Sequence, residues 1–326
     1  MSALYFTPVI AGLVSAAVLG LLLATGAARW LLDRPNARSL HATPTPRCGG
    51  LAVIAGVAAG WWWSGTTLDT AVWLALAALV LVSLYDDLRG AHVLVRFPVH
   101  LAAAGAAAWA LLGAQHPLLV VLIAALAIAW MTNLYNFMDG ADGLAGGMTL
   151  IGFGAYAAAA AAAGDYSFAA CNAAIAAAAG GFLLYNFPPA RVFLGDAGAI
   201  PLGFLAATLG VMGATRGDWP WWFGVLVFAP FIVDASVTLA RRLARRARVW
   251  HAHREHYYQR LVRGGWTHRR TVLAEFALMG ASGALAVLAT AAPNLQGWLL
   301  AGALAAYAAL LVWLERRLPP AVEAAA

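Results

Sequence analysis

The sequence predicts an all-α, polytopic membrane protein with about eleven transmembrane helices, ten being the alternative count. Of its 326 residues, 63% are hydrophobic and only 10% are charged, whereas soluble domains carry about 25% charged residues. The mean hydropathy is +0.77. Long uncharged stretches recur along the whole chain, as is typical of helices that cross a lipid bilayer.

Eleven apolar runs are the candidate spans, and several are shorter than the ~20 residues that a spanning helix normally needs. Alanine and glycine are frequent in them, which predicts close helix packing within a single domain over residues 1–326. The runs cover roughly 4–26, 49–66, 70–85, 97–113, 117–135, 147–163, 167–186, 199–214, 220–240, 271–291 and 296–314.

The basic residues indicate the orientation of the bundle. All 20 are arginines, and 19 of them, all but Arg216, fall on alternate connections or on the C-terminal tail. Positive charge marks the cytoplasmic side, so we expect a periplasmic N-terminus and a cytoplasmic C-terminus. The net charge of +6 therefore indicates membrane orientation and no nucleic-acid partner. The longest basic connection, 241–270, is a predicted cytoplasmic loop.

Two smaller features support this topology. The first arginine is Arg29, so no basic segment precedes the first apolar run, and we expect that run to remain as a span. Cys48 and Cys171 fall near opposite membrane faces and are not expected to pair. The run Arg241–Arg248 is interpreted as surface anchoring on anionic lipid.

Five carboxylates lie at the predicted cytoplasmic ends of spans. Asp86 and Asp87 end the third span, Asp139 and Asp142 follow the fifth, and Asp196 lies between two glycines before the eighth. Asp86 and Asp87 alone would also fit a solvated helix end. Charged groups at apolar helix ends are costly and tend to mark functional sites.

A cation is expected at these carboxylates, because their mutual repulsion would otherwise be severe. An oxygen-rich site without cysteine suits a hard ion such as Mg²⁺, with Mn²⁺ as an alternative. Mg²⁺ typically binds one or two carboxylates together with substrate phosphates. The predicted chemistry is phosphoryl transfer at the cytoplasmic membrane surface.

The histidines of the basic loop admit several interpretations. His251, His253 and His256 are spaced H-x-H-x-x-H. They could hold phosphate oxygens of a substrate, contact anionic lipid head groups, or ligate zinc. A fourth zinc ligand is not evident, and the neighbouring carboxylates favour a hard ion.

At these residues the chain resembles the polyprenyl-phosphate N-acetylhexosamine-1-phosphate transferases, glycosyltransferase family 4, which are relatives of the phospho-N-acetylmuramoyl-pentapeptide transferase. The resemblance covers nearly the whole chain in order. It is carried by the segments 33–50, Asp86-Asp87, Asn136–Gly143, Phe193–Gly198 and the basic loop.

The family resemblance implies a reaction. Undecaprenyl phosphate would attack the β-phosphate of a UDP-N-acetylamino sugar, with Mg²⁺ required, so that sugar-1-phosphate moves to the lipid and UMP leaves. The membrane would be the bacterial inner membrane, and a homodimer is one assembly that the family allows. The pattern is closer to that of the enzymes that initiate O-antigen or capsule-type glycans than to that of the peptidoglycan enzyme. Such enzymes act in the biogenesis of lipopolysaccharide and of the cell wall.

The resemblance also implies residue roles. Asp196 would be the principal metal ligand. Asp86 would activate the lipid phosphate, or instead position it or help bind the metal. Asp87, Asp139 and Asp142 would complete the catalytic set. Asn186 and Phe193 match positions that hold the uracil ring, by hydrogen bond and by stacking. The full set of substrate-binding positions would be Asn136, Asn186, Phe193, Arg47, His41, His253 and His256.

One departure from the family concerns the histidines. Many relatives carry two or three nearly adjacent histidines in the last cytoplasmic loop. Here His256 matches the first, and Tyr258 and Gln259 stand where further histidines would be. The roles of individual histidines are therefore open.

An ion-coupled transporter is the alternative class of function, because intramembrane carboxylates also mark ion pathways. Asp234 in the ninth span would fit it, although a structural partner near the inner face is the favoured interpretation. Transporters often show internal repeats and polar residues at the bilayer midplane, and neither is evident. Transferases that act on CDP-activated alcohols need a denser aspartate pattern than Asp139 and Asp142 supply.

Overall fold

A computed structural model describes residues 2–33, 44–247 and 253–318. The described chain is almost entirely α-helical, as the sequence predicts. The helices are α1 (Ser2–Ala24), α2 (Gly49–Ser64), α3 (Thr70–Arg89), α4 (Val93–Leu112), α5 (Leu118–Phe137), α6 (Leu144–Ala163), α7 (Tyr166–Asn186), α8 (Asp196–Arg216), α9 (Phe223–Val227), α10 (Ala229–Ala244), α11 (Tyr257–Arg263), α12 (His268–Ala291) and α13 (Gln296–Arg317).

Short elements complete the described chain. Two short 3₁₀ helices cover Ala27–Leu31 and Pro293–Leu295. The only β structure in the described segments is an antiparallel pair, β1 (Leu32–Asp33) with β2 (Thr45–Pro46), in which Leu32 faces Pro46. This pair fixes the chain just before α2.

Every predicted span is helical, and all but one correspond to a single helix. Nine helices of the described chain are long and apolar enough to cross a membrane. The other two apolar runs form α2, which is 16 residues long, and the α9–α10 pair. The run 220–240 is thus not one continuous helix. It is interrupted at Phe228, because Pro230 enters the first turn of α10 and lacks the N–H that would continue α9.

Small residues bring α1, α2 and α7 into close contact. A Cβ atom added to Gly181 would lie 2.4 Å from the carbonyl oxygen of Gly12, and one added to Gly56 would lie 2.5 Å from that of Ala11. Helices in lipid gain packing energy when such residues allow their backbones to approach. The small residues of these spans therefore allow close helix packing, as predicted.

Helix α13 lies at the periphery. Among its described side chains only Ala303 and Leu314 are buried. Its C-terminal end is held by Glu315, which accepts a hydrogen bond from Arg260 at 2.7 Å and also contacts Arg241. Ion pairs, together with an apolar cluster of Tyr257, Leu261 and Leu314, therefore connect this helix to α10 and α11.

The two cysteines are buried and free, as expected from their predicted positions at opposite faces. At the end of the bundle away from the carboxylates, Asp69 and Asp165 cap α3 and α7. Arg216 donates to Asp165 at 2.8 Å. The one arginine on that side is therefore paired within the protein.

Candidate active site at one end of the bundle

Three separate segments bring carboxylates together at one end of the bundle. Asp87 lies in the last turn of α3, Asp196 begins α8, and Asp139 lies between α5 and α6. Asp87 accepts the backbone N–H groups of Asp196 and Ala197 at 3.2 and 2.9 Å. Asp139 lies near enough to Asp87, Asp196 and the backbone of Gly195 to interact with them electrostatically. The structure therefore brings together three of the carboxylates that the sequence selects.

Asp87 uses both carboxylate oxygens to cap the N-terminus of α8. Its side chain is only 1% exposed, and Arg47 lies 3.7 Å away. A negative charge is stabilising at a helix N-terminus, where backbone N–H groups have no partner within the helix. Asp87 thus orients the first turn of α8 and the carboxylate of Asp196; its catalytic role stays a prediction.

Asp86 shares one cationic atom with Asp196. Its Oδ1 accepts the N–H of Ala91 at 2.5 Å, and its Oδ2 contacts Nη1 of Arg96. The same Arg96 nitrogen lies 2.8 Å from Oδ2 of Asp196. A single nitrogen therefore lies between the two carboxylates that the sequence assigns to a metal.

Arg96 was not predicted as a site residue; by its position in the sequence it counts only among the arginines that set orientation. The sequence does contain an indication that Arg96 lies near Asp86. Arg96 lies in the first turn of α4, and only the short link 90–92 separates α4 from the end of α3. Antiparallel helices joined by so short a link bring these two ends together.

Asp139 lies in an environment that disfavours its charge. Burial, followed by the like charges of Asp196 and Asp87, raises the pKa of Asp139 well above its usual range. The close approach depends on Gly195, whose φ is 77° and whose added Cβ would lie 2.9 Å from the Arg47 carbonyl oxygen. A cation at this end of the bundle would relieve the repulsion.

Asp142 and Asn186 hold two loops against each other. Asp142 accepts the N–H of Ala190 at 3.0 Å. Asn186, which is 4% exposed, accepts the N–H of Gly143 and donates to the carbonyl of Val192, both at 2.8 Å. Both polar ends of this amide contact backbone, so a further contact from Asn186 to a uracil ring stays a prediction.

Phe193 and Arg47 come from segments that pair by backbone hydrogen bonds. The N–H of Phe193 donates to Pro46 at 2.7 Å, and its carbonyl accepts from Gly49 at 2.9 Å. This pairing carries Arg47 to Asp87, and Phe193 remains half-buried. Its stacking role is a prediction.

Asn136 and His41 complete the positions selected before the last loop. Asn136 is half-buried in the last turn of α5, and its carbonyl accepts the N–H of Asp139 at 3.2 Å. His41 lies outside the described residues. Their substrate-binding roles stay predictions.

The histidine-bearing segment is fixed by Asp234, which lies buried in α10. Its carboxylate accepts the N–H groups of Tyr257 and Tyr258 at 3.0 and 3.2 Å and contacts Nδ1 of His256 at 3.1 Å. Asp234 is therefore a structural partner of backbone donors, as the favoured interpretation predicts. This position does not favour an ion pathway.

Tyr258 connects this segment to the carboxylates. Its hydroxyl donates to the carbonyl of Phe137 at 3.2 Å, and a Cβ atom on Gly140 would lie 2.0 Å from that hydroxyl oxygen. The rings of His253 and His256 lie 4.9 Å apart beside Tyr258. His251 lies outside the described residues.

The surface-anchoring interpretation is wrong for Arg242. Its side chain is 3% exposed and pairs with Glu255, which also contacts Arg245. Burial would raise the pKa of Glu255, but the hydrogen bond from Arg245 and the charges of both arginines lower it overall. Arg241 and Arg242 also belong to α10, and 268–270 to α12, so the connection is shorter than 241–270. Sequence alone could not reveal a buried partner contributed from across a loop.

Burial and the neighbouring charges of His256 and Arg242 lower the pKa of His253 to about 4. An unfolded histidine titrates near ~6.5, so the unfolded state binds the extra proton between these values. We expect His253 to weaken the folded state as the pH falls through about 6.5 towards 4. His253→Gln should flatten the fall of the unfolding temperature in this range.

The check is thermal unfolding of detergent-purified protein at several pH values. His116→Gln, at the opposite end of the bundle next to Trp221, is the control and should leave the wild-type slope unchanged. An identical slope in wild type and His253→Gln would contradict the assignment.

The fold and this end of the bundle define a multi-pass membrane protein with a site at which two carboxylates contact one arginine. Residues 70–214 match the family model for glycosyl transferase family 4. A probable undecaprenyl-phosphate N-acetylglucosaminyl 1-phosphate transferase of Bacillus subtilis (strain 168) is 28% identical, over 74% of this chain and 72% of the relative.

Two further relatives extend the comparison. A decaprenyl-phosphate N-acetylglucosaminephosphotransferase of Mycolicibacterium smegmatis is 30% identical over 76% of this chain and 72% of the relative. A phospho-N-acetylmuramoyl-pentapeptide-transferase of Moorella thermoacetica is 38% identical over 48% of each chain. The chain belongs to glycosyl transferase family 4, which confirms the family predicted from its motifs.

Proposed function

We propose that this protein transfers an N-acetylated amino-sugar-1-phosphate from a UDP-sugar to a polyprenyl phosphate, undecaprenyl phosphate in most bacteria, and releases UMP. The observation that carries the proposal is the shared position of Asp86 and Asp196 around one cationic nitrogen. The names of the relatives support the lipid acceptor and the sugar class. An oxygen of the lipid phosphate would bond to the β-phosphorus while the bond from that phosphorus to the UMP oxygen breaks.

Mg²⁺, or Mn²⁺ in its place, fits the donor set at this site. One nitrogen already contacts both Asp86 and Asp196, so these two carboxylates can share a cation. Among the described residues no group of three His, Cys, Asp or Glu side chains could hold a metal by itself. Mg²⁺ typically binds one or two carboxylates and completes its shell with water and phosphate oxygens.

The roles in the reaction follow from these positions. A bound ion would neutralise charge on the transferred phosphoryl group. Asp196 and Asp86 would hold it, and Asp87 keeps Asp196 in place through the N-terminus of α8. The lipid phosphate has a second pKa near ~6, so a strong general base is not needed at neutral pH.

We further propose that the site faces the cytoplasm of a bacterial inner membrane, with the N-terminus periplasmic. The arginines support this orientation, because 19 of 20 belong to the connections on the side of the carboxylates. The product would be the first lipid-linked intermediate of a cell-envelope glycan such as an O-antigen.

The test is release of UMP by purified protein in detergent or vesicles with undecaprenyl phosphate, Mg²⁺ and a panel of UDP-sugars. UDP-N-acetylglucosamine is the first donor to examine, because the relatives are named for that sugar. UMP should form only when lipid phosphate and one N-acetylated donor are both present. No UMP with any donor of the panel would contradict the proposal.

A further inference from the structure

The guanidinium of Arg96 occupies the place where Asp86 and Asp196 can share a cation. Its Nη1 lies 2.8 Å from Oδ2 of Asp196 and contacts Oδ2 of Asp86. Two carboxylates that meet at one nitrogen would repel each other without it, so one positive group there stabilises both. Arg96 supplies that charge from within the chain.

This contact differs from an arginine bridge built only for stability. A structural arginine typically uses its planar fork for two parallel hydrogen bonds to one carboxylate. Arg96 instead uses one nitrogen for two carboxylates, and its Nε is buried without a hydrogen-bond partner in the described part of the protein. An unpaired buried donor is costly, and the side chain is still 27% exposed. Arg96 therefore has room to move and gains a hydrogen bond if it finds an anion elsewhere.

We propose that Arg96 is an internal counter-ion that competes with a divalent cation for Asp86 and Asp196. Without a nucleotide-sugar, a divalent ion must displace the guanidinium and therefore binds weakly. A diphosphate in the site gives the displaced guanidinium a new anionic partner, so metal and nucleotide-sugar strengthen each other's binding. The inference rests on the proposed function, because it takes the divalent ion and the diphosphate from it.

The experiment measures Mn²⁺ binding to detergent-purified protein by the electron paramagnetic resonance signal of the free ion, without lipid phosphate and hence without turnover. We expect Arg96→Gln to bind Mn²⁺ about tenfold more tightly than wild type, a change equivalent to about 1.4 kcal/mol. Arg96→Lys, which keeps the charge on a different head group, should lie between them and serves if Arg96→Gln does not fold. Arg89→Gln removes the same charge from an exposed position three residues from Asp86 and should stay within about twofold of wild type.

A second arm adds UDP-N-acetylglucosamine. It should tighten Mn²⁺ binding to wild type by about tenfold more than to Arg96→Gln. Coupling between two ligands is reciprocal; the part that passes through phosphate oxygens on the ion remains in the variant, and the part that passes through Arg96 is lost. Unchanged or weaker Mn²⁺ binding in Arg96→Gln would overturn the inference, as would equal tightening in Arg89→Gln. If Mn²⁺ competes with Arg96 as expected but the full reaction releases no UMP, only the proposed function would be overturned.

Discussion

Asp196→Ala is expected to lower UMP release by about 10²–10³-fold or more, the scale seen when a preorganised electrostatic contact to a reacting group is lost. Asp196 faces the shared cation position together with Asp86, and α8 fixes it at its first residue. The measurement is initial-rate UMP release with the best donor of the panel.

The variant should still fold. The N-terminus of α8 is capped by Asp87, not by Asp196, and alanine is a strong helix former. Its unfolding temperature in detergent should therefore stay close to that of wild type. Asp69→Asn is the control, because it changes a carboxylate at the opposite end of the bundle where an amide can still cap α3. Retained turnover in Asp196→Ala would refute the metal assignment.

Gly50→Ala adds one methyl group, and we expect it to destabilise the fold around the site more than any other single added methyl group. A Cβ atom there would lie 2.3 Å from the backbone nitrogen of Gly198 and 2.5 Å from its Cα. These are backbone atoms in the first turn of α8, so no side-chain rotation relieves the clash. Overpacking costs about 1–3 kcal/mol when neighbours can adjust, and we expect a loss of free energy of unfolding at the upper end of that range.

The consequence should also reach activity, because moving α8 away from α2 moves Asp196 away from Asp86 and Arg96. Thermal unfolding and UMP release should fall together in Gly50→Ala. Gly105→Ala is the matched control: an added Cβ there has no atom within 4 Å, and alanine is preferred to glycine within a helix. It should be neutral or slightly stabilising. A Gly50→Ala protein as stable and active as wild type would show that α2 and α8 need not approach so closely.

Much of the candidate site could be predicted from sequence, because the end of an apolar span marks the membrane surface. A carboxylate at that end must therefore lie at the surface. Asp87, Asp139 and Asp196 were each found that way, and alternating connections assigned them to one side. The structural role of Asp234 followed from similar reasoning, because a carboxylate within an apolar span is costly unless it has a hydrogen-bond partner. Arg96 and Arg242 were misjudged, because arginines in membrane-protein loops usually set orientation and composition does not reveal which of them meets a buried carboxylate.

The amino-acid sequence was sufficient to predict the all-α class, the order of the apolar segments, the common side of the carboxylates and the family, but not the break of the run 220–240 at Phe228. Hydropathy and loop charge carry this information, because each span must satisfy its own backbone hydrogen bonds in lipid. The three-dimensional structure was needed to show that Asp87 caps α8, that Asp142 and Asn186 contact backbone, and that Arg96 lies between Asp86 and Asp196. These contacts join helices far apart in the chain, and they form only where glycines such as Gly50 and Gly195 let the segments approach within van der Waals distance.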